Sequence, residues 1–294
     1  MRKLKWMLLV VTGFALASTS LTVIADQTGS HQNSFLKSSS LQSDPHRKNT
    51  VWDRWNSSNE NNPAIIDHRL FDGFLKTYVV TNHPSGINRF RYADVSRGDH
   101  KTLKKYIKKL SSIDPRDFRK IEQKAYCLNL YNALTLEGLL KRYPISAVDH
   151  NRFSRKVAVH VAGQKMTLAD IEQHILRPVW GDYKVVFGLS CATVGCPAIH
   201  PQAFTAANTD KLLKQYVGEF INHPRGLIVN KHELRVSKIF DWYRQSFGSD
   251  DRHLLRLFAH YADDNKALYI LGYSGEISYA FDKRINAPET RWPL

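Results

Sequence analysis

The first half of the chain has the hydrophobic pattern of helices. Apolar residues recur three and four positions apart through 65–80, through 101–110 and, over the longest stretch, through 118–143. This spacing places them on one face of a helix. Pro144 follows the longest stretch, and proline marks a helix end because it cannot continue the hydrogen-bonding pattern. The sequence therefore predicts three helices before residue 144.

The second half alternates between strand and helix patterns. Period-two alternation through 156–161, followed by the turn Ala162-Gly163, predicts a strand that opens a hairpin. Further on, the pattern predicts a helix at 167–180, a buried strand at 183–190, a helix at 201–223, two strands within 226–237, helices at 238–247 and 251–264, and a last strand at 266–273. Helices first and mixed short elements afterwards predict an α+β fold, a mostly helical domain with a small mixed or antiparallel sheet.

Two polar residues interrupt the longest helical stretch. Asn129 and Asn132 lie among apolar neighbours, where an amide without a hydrogen-bond partner is costly to bury. We expect these side chains to bond the backbone of a loop and so to hold the core in register.

The N-terminus has the form of a secretory signal peptide. Basic residues at positions 2, 3 and 5 precede an apolar run, and small residues come before a cleavage point after Ala25. The alternative is an uncleaved membrane anchor. Residues 26–63 are polar and predict a flexible lead-in, with Trp52 and Trp55 as candidates for docking onto the domain. Residues 64–294 are expected to form a single domain, exported to the periplasm or the extracellular space.

The chain is strongly basic, with a formal net charge of +15. Five lysines crowd the predicted helix around 101–110: Lys101, Lys104, Lys105, Lys108 and Lys109. They form either a solvated surface or a face that binds an anionic envelope polymer or a lipid surface. Nucleic acid is not expected as a partner, because the chain carries an export signal and lacks a recognition motif. The oligomeric state is left open.

Two of the three cysteines lie in one short loop. Cys191 and Cys196 are expected to follow a buried strand and to precede a helix. Outside the cytoplasm they could be joined in a disulfide that adds about 2 kcal/mol of stability, or remain free thiols. Cys127 lies on the longest helix and is expected to be buried and unpaired. Cys191, Cys196 and His200 offer only three zinc ligands, so neither a metal nor a cofactor is expected.

A reactive thiol needs a lowered pKa, and Cys196 has the better local setting. A helix beginning at Pro197 or near Pro201 would stabilise a thiolate. The backbone N–H groups of Gly195 and Cys196 could form an oxyanion site. Cys191 would be an alternative nucleophile or a resolving thiol.

The candidate bases are His174, His200 and His160. His174 lies near Glu172, but residues two apart on a helix point in directions that differ by about 200°. Asp282 or Asn286 could orient an imidazole instead, as the third member of a catalytic triad does.

Several sequence blocks together resemble a known family. They are residues 124–140, 166–178, 186–213, 236–248 and 279–288. These blocks are similar to those of the Domain of Unknown Function 547 family, over roughly 122–288, and suggest an exported bacterial member. The resemblance implies a papain- or transglutaminase-like fold with a thiol site.

The resemblance also suggests roles for individual positions. Cys191 and Cys196 match the family's paired cysteines, and Glu172 matches the acid of its short helix. The family's histidine usually follows that acid directly, whereas here Gln173 intervenes before His174. The position of the base therefore departs from the family's pattern.

Two functions follow as hypotheses. In the first, the protein is an exported thiol-dependent hydrolase or acyltransferase acting on an amide or peptide bond of a peptide or envelope substrate. Cys196 would be the nucleophile and His174 the base, with Glu172 or Asp282 as the orienting acid. In the second, it is a non-catalytic envelope binding module with a Cys191–Cys196 disulfide and a basic face that binds a polyanion.

Overall fold

The computed structural model describes residues 50–230, 233–248 and 250–291. The expected signal peptide at 1–25 and the first part of the lead-in, 26–49, lie outside the described residues. Within the described ranges, no helix combines the length and the apolar character that crossing a bilayer requires.

One long helix, Lys120–Leu140, forms the centre of the domain, and we call it the central helix. It is buried on nearly all sides, from Glu122 to Leu139. A helix that is apolar around most of its circumference belongs inside a protein rather than at its surface. The two other helices predicted in this half are present as Arg69–Tyr78 and Arg97–Ser111. We call Arg97–Ser111 the lysine helix.

The strands form three small sheets. β1 (Val79–Val80) pairs with β2 (Arg89–Phe90), and β3 (Ala158–Val161) pairs with β4 (Gln164–Thr167), both antiparallel. β5 (Leu227–Asn230) pairs antiparallel with β6 (Glu233–Ser237), which pairs in parallel with β7 (Ile277–Ala280). The predicted α+β class, with a small mixed sheet, is confirmed.

The hairpin and the capped helix after it follow the sequence closely. Ala162 and Gly163 both have positive φ, 47° and 75°, as a two-residue hairpin turn requires. Thr167 and Asp170 form a reciprocal capping box at the start of the next helix. That helix runs through 168–180, with Ile171–Leu176 wound as a π-helix between two short α-helical segments.

The remaining helices are short or lie in the second half. The α-helices are His150–Lys156, Thr209–Asn222, Ile239–Trp242, Arg244–Phe247, Asp251–Tyr261 and Asp264–Leu271. The 3₁₀ turns are Asp53–Asn56, Tyr92–Asp94, Pro115–Asp117 and Tyr183–Gly188.

Two predicted strands were wrong. The stretch 183–190 is a 3₁₀ helix at Tyr183–Gly188, because the Asp182 carboxylate caps it by accepting the N–H of Lys184 at 3.0 Å. A short segment that is buried on all sides is apolar nearly throughout, so its hydrophobic pattern has no periodicity that would distinguish a strand from a helix. The stretch 266–273 lies mostly in the helix Asp264–Leu271, since alanine, leucine and lysine favour helix.

The described end of the polar lead-in packs on the domain. Trp55 is 2% exposed and belongs to the hydrophobic core. Trp52 stacks on the ring of His174, with the ring centroids 5.0 Å apart. The indole rings thus account for the order of this polar segment.

The two asparagines of the central helix hold the backbone of the chain segment that contains the cysteines. Asn132 donates to Gly188 O at 2.8 Å and accepts the N–H of Ser190 at 2.9 Å. Asn129 donates to Phe204 O at 2.7 Å and accepts the N–H of Phe204 at 3.0 Å. The expectation that these amides bond loop backbone is confirmed.

We expect Asn132→Ala to lower the free energy of unfolding by about 2 to 4 kcal/mol, measured by urea denaturation. The change leaves the buried Ser190 N–H and Gly188 C=O without partners. Asn265→Ala, at an exposed helical position, is the control and should change stability by less than about 0.5 kcal/mol. Equal effects of the two changes would contradict the role given to Asn132.

Candidate functional site

The cysteine loop, residues 189–201, is closed by a disulfide. Cys191 and Cys196 are bonded to each other, with their Cα atoms 5.8 Å apart. Both residues are 4% exposed. Cys127 is a free, buried cysteine on the central helix, as expected. The two loop sulfur atoms are therefore neither thiolate nucleophiles nor thiolate metal ligands in this state.

A C-terminal segment, residues 282–287, lies against the cysteine loop. Val194 N–H donates to Arg284 O at 2.9 Å, and Asn286 N–H donates to Ala192 O at 3.1 Å. A Cβ atom at Gly195 would lie only 2.7 Å from the backbone nitrogen of Asp282. Glycine at this position thus lets the C-terminal segment approach the loop.

The N–H groups expected to bind an oxyanion are already engaged. Gly195 N–H donates to Asp282 O at 2.8 Å, and Cys196 N–H donates to Thr193 O at 3.2 Å. No helix starts at Pro197 or Pro201; the next one begins at Thr209. Cys196 therefore does not lie at a helix N-terminus, because residues 201–208 are irregular.

The three candidate histidines lie apart from the disulfide. His174 is exposed, stacks on Trp52, and has its Nε2 atom 3.7 Å from Asp170 Oδ1. His160 is exposed on β3. His200 is stacked on Tyr216 at 3.4 Å between ring centroids, and burial, with the charge of Arg225, lowers its pKa to about 3. None of the three lines the cavity beside the cysteines.

A different histidine lies in that cavity. The lining of the cavity includes both cysteines, Leu189, His150, Tyr131 and Tyr243. The cavity has room for about one water molecule. His150 begins a helix that Asp149 caps, and burial lowers the pKa of His150. Its Nδ1 atom is buried and has no hydrogen-bond partner among the described residues.

Glu172 lies behind the two tyrosines of this cavity. It is 2% exposed, and its carboxyl group is hydrogen bonded to the hydroxyls of Tyr131 and Tyr243. Burial raises its pKa, although these hydrogen bonds and the charge of Arg177 act in the opposite direction. The structure thus connects Glu172 to the cysteine cavity through two tyrosines.

Asp282 reaches the cysteine loop through its backbone rather than its carboxylate. The carboxylate binds Arg284 with both oxygens, at 3.0 Å to Nε and 2.5 Å to Nη2. Asn286 accepts a hydrogen bond from the hydroxyl of Tyr92 at 2.7 Å. Of the predicted site residues, Cys191 and Cys196 line this cavity, and Glu172 lies behind two of its tyrosines. His174 and Asp282 are not part of the cavity lining.

Sequence reasoning missed His150 and the roles of the two tyrosines. His150 follows Pro144 in an irregular stretch, and no periodic pattern relates it to a loop that begins about forty residues later. Tyr131 and Tyr243 have the spacing of core residues, so only the three-dimensional position of Glu172 distinguishes them. Asp149 is the sequence signal that bears on His150. An aspartate directly before a helix is a typical N-cap, so it indicates a helix that begins at His150.

The cavity brings the disulfide together with an imidazole and two tyrosines. Reduction of the disulfide would place two thiols beside a neutral imidazole and near a buried carboxyl group. In the described ranges, no group of three or more His, Cys, Asp or Glu side chains is arranged to hold a metal ion.

The buried carboxyl group makes stability depend on pH. The folded pKa of Glu172 lies above its unfolded value of 4.5, so its stabilising effect is complete below that value and is lost as pH rises through the folded pKa. Glutamine cannot ionise. We therefore expect the free energy of unfolding of Glu172→Gln, relative to that of the unaltered chain, to increase with rising pH. The total increase should be about 1.4 kcal/mol for each unit by which the folded pKa of Glu172 exceeds the unfolded value.

The measurement is urea unfolding of both proteins between about pH 4 and pH 8, where a carboxyl with a raised pKa titrates. Glu276→Gln, at an exposed position, is the matched control and should follow the pH profile of the unaltered chain. A profile of Glu172→Gln parallel to that of the unaltered chain would show that Glu172 does not titrate as described.

The comparisons with known proteins identify a family. Residues 115–221 match the model of the family described as "Protein of unknown function, DUF547". The matched segment contains the central helix, Glu172 and both cysteines of the loop, whereas Asp282 lies beyond it. No curated protein and no solved structure matched the chain. The match supports the resemblance to the DUF547 family over residues 115–221.

Proposed function

We propose that this protein is an exported, non-catalytic binding module of the cell envelope, whose basic face contacts an anionic polymer or lipid surface. The observation that carries the proposal is the buried Cys191–Cys196 disulfide, which leaves neither sulfur available as a nucleophile. The N–H groups of Gly195 and Cys196 donate to backbone carbonyls, which is the arrangement of a structural loop.

The lysine helix provides the basic face. Lys101, Lys104, Lys105 and Lys108 are all exposed, and their spacing puts them on neighbouring turns of one side. They form no ion pair with a described residue, whereas Lys109 pairs with Asp67 at 3.1 Å. Four lysines that the domain does not neutralise are available to an anionic surface.

The opposite side of the helix is fixed to the domain. Leu103, Tyr106 and Leu110 are buried, each with at most 1% exposure. Tyr106 stacks on Phe71 with ring centroids 5.2 Å apart. A helix held on one side presents its charges in a constant arrangement, so little order has to be gained when a surface binds.

We expect the full-length chain to bind vesicles that contain phosphatidylglycerol, and replacement of the four lysines by glutamine to weaken this binding about a thousandfold. Each lysine near an anionic membrane contributes about 1 kcal/mol. Vesicle co-sedimentation measures the affinity, and binding of the unaltered chain should weaken with salt because the charges are screened.

The control removes the same charge from other exposed positions. It replaces Lys156, Lys165, Lys211 and Lys214 by glutamine. This variant should lose much less affinity than the variant of the lysine helix. Equal losses would show that only net charge matters and would contradict a binding face on this helix.

A thiol-dependent hydrolase remains a second candidate function, and one observation favours it. His150, Tyr131 and Tyr243 line the cavity together with the disulfide, and Glu172 adjoins both tyrosines. A reducing partner would release a thiol pair next to an imidazole. Such a site would act on an amide or peptide bond only after reduction, with His150 rather than His174 as the nearby base.

Alkylation distinguishes the two functions. Without reductant, we expect no fast iodoacetamide adduct, since Cys127 is buried and burial raises its pKa to about 12. After mild reduction, the binding module predicts slow alkylation of Cys191 and Cys196, because each is only 4% exposed. Mass spectrometry after digestion gives the rate at each cysteine.

A fast reaction of reduced Cys196 near neutral pH would favour the hydrolase instead. In that case His150→Ala should slow alkylation about tenfold or more, because the imidazole no longer activates the thiol. His174→Ala is the matched control, since its side chain lies outside the cavity.

A further inference from the structure

A second concave region is lined in part by Gly195 and Asp282, where the cysteine loop contacts the C-terminal segment. This groove has a volume of about 790 Å³, and the turn 223–225 and Ser85 form part of its wall. The volume falls within the range of small-molecule sites. Neither of the functions considered above uses this groove.

One arginine in this wall and one buried behind it have side-chain N–H groups without hydrogen-bond partners among the described residues. Arg225 lines the groove, and its Nε and Nη1 atoms are buried and have no hydrogen-bond partner within the described ranges. Arg89, on β2, is 0% exposed, and its Nε and Nη1 atoms are likewise unpartnered there. Its Nη2 atom donates to Ser85 Oγ at 3.1 Å. Burying guanidinium groups in this way is costly unless something compensates the charge.

His223 bonds the backbone on this side of the groove. Its Nε2 atom lies 2.8 Å from the backbone carbonyl oxygen of Ser85, and its Nδ1 atom accepts the backbone N–H of Arg225 at 3.0 Å. The imidazole is therefore the neutral tautomer that donates from Nε2. Burial and the charges of Arg225 and Arg89 lower its pKa. Burial and the charge of Arg89 lower the pKa of Arg225 to about 9.

The nearest carboxylates are engaged elsewhere. Asp282 binds Arg284 with both oxygens. Glu219 accepts a hydrogen bond from Gln215 at 2.7 Å and has an oxygen 3.6 Å from His200 Nε2. In the described part of the chain, therefore, neither Arg89 nor Arg225 forms an ion pair.

We propose that Arg225, with Arg89 behind it, binds the phosphoryl group of a small soluble phosphate monoester or inorganic phosphate in this groove. Guanidinium N–H groups suit the oxygens of a tetrahedral oxyanion, with which they form paired charge-assisted hydrogen bonds. Two neighbouring positive charges match a phosphate dianion better than a singly charged carboxylate. Arg225 makes the direct contact, and Arg89 supplies the second charge from behind the wall.

The test titrates inorganic phosphate into the full-length chain and follows its thermal unfolding temperature and the heat of binding. Acetate at the same ionic strength is the control for general salt effects. We expect a saturable rise in unfolding temperature with phosphate only, because a ligand that binds the folded state stabilises it. Equal shifts with phosphate and acetate, or no saturable heat, would overturn the proposal.

Matched variants locate the site. Arg225→Met should weaken phosphate binding about ten- to hundredfold, as expected from loss of charge-assisted hydrogen bonds. It should not lower the unfolding temperature in phosphate-free buffer, because it also removes a buried like charge. Arg235→Met is the control: Arg235 lines the same groove, but its Nε atom lies 3.7 Å from Glu233.

Unchanged phosphate binding in Arg225→Met, or equal weakening in both variants, would overturn the assignment of the site to Arg225. If Arg225→Met fails to fold, Arg89→Met provides the second test and should also weaken phosphate binding. A folded Arg89→Met protein with unaltered phosphate affinity would contradict the role of the paired charge.

Discussion

The placement of the cysteine loop depends on the two buried amides of the central helix. Asn132 bonds the backbone just before the disulfide, and Asn129 bonds it just after the loop, at Phe204. Each side chain acts as donor and acceptor to the same short stretch of backbone. Inside a protein such hydrogen bonds are costly to leave unmade, so they fix the register of the loop on the helix. The position of the disulfide relative to Tyr131, on the same helix, follows from this constraint.

The sequence predicted those features whose signal is local. Asn129 and Asn132 could be recognised because buried amides on an apolar helix need hydrogen-bond partners. The capping box of Thr167 and Asp170 could be recognised because both of its residues lie within four positions of the sequence. The prediction of a strand at 183–190 was wrong because a strand and a 3₁₀ helix that are buried on all sides have similar compositions. The helix expected after Pro197 begins only at Thr209, since proline permits a helix start without requiring one.

The cavity beside the disulfide could be predicted only in part, because its members come from separate segments. The sequence pointed to the cysteines and to Glu172, which the family resemblance also marked. It could not place His150, because the tertiary structure brings this residue to the cavity and no periodic pattern in the sequence relates it to the cysteine loop. His174 is nearer to Glu172 in sequence, yet it faces Trp52 at the surface. Glu172 and His174 therefore lie on different sides of that helix, as their spacing of two residues predicts.

One contact relates the disulfide cavity to the arginine groove. Gly195 lies in the cysteine loop next to Cys196, and both Gly195 and Asp282 line the groove. Their hydrogen bond of 2.8 Å joins the loop to the C-terminal segment, whose Asp282 carboxylate is held by Arg284. Reduction of the disulfide would remove a covalent link within the loop, and an anion at Arg225 would bind in the groove that this contact lines. Because no Cβ fits at Gly195, this junction cannot accept a larger side chain without moving one of its two segments. The redox state of the loop and the occupancy of the groove are thus expected to be coupled through the backbone hydrogen bonds that join the loop to the C-terminal segment.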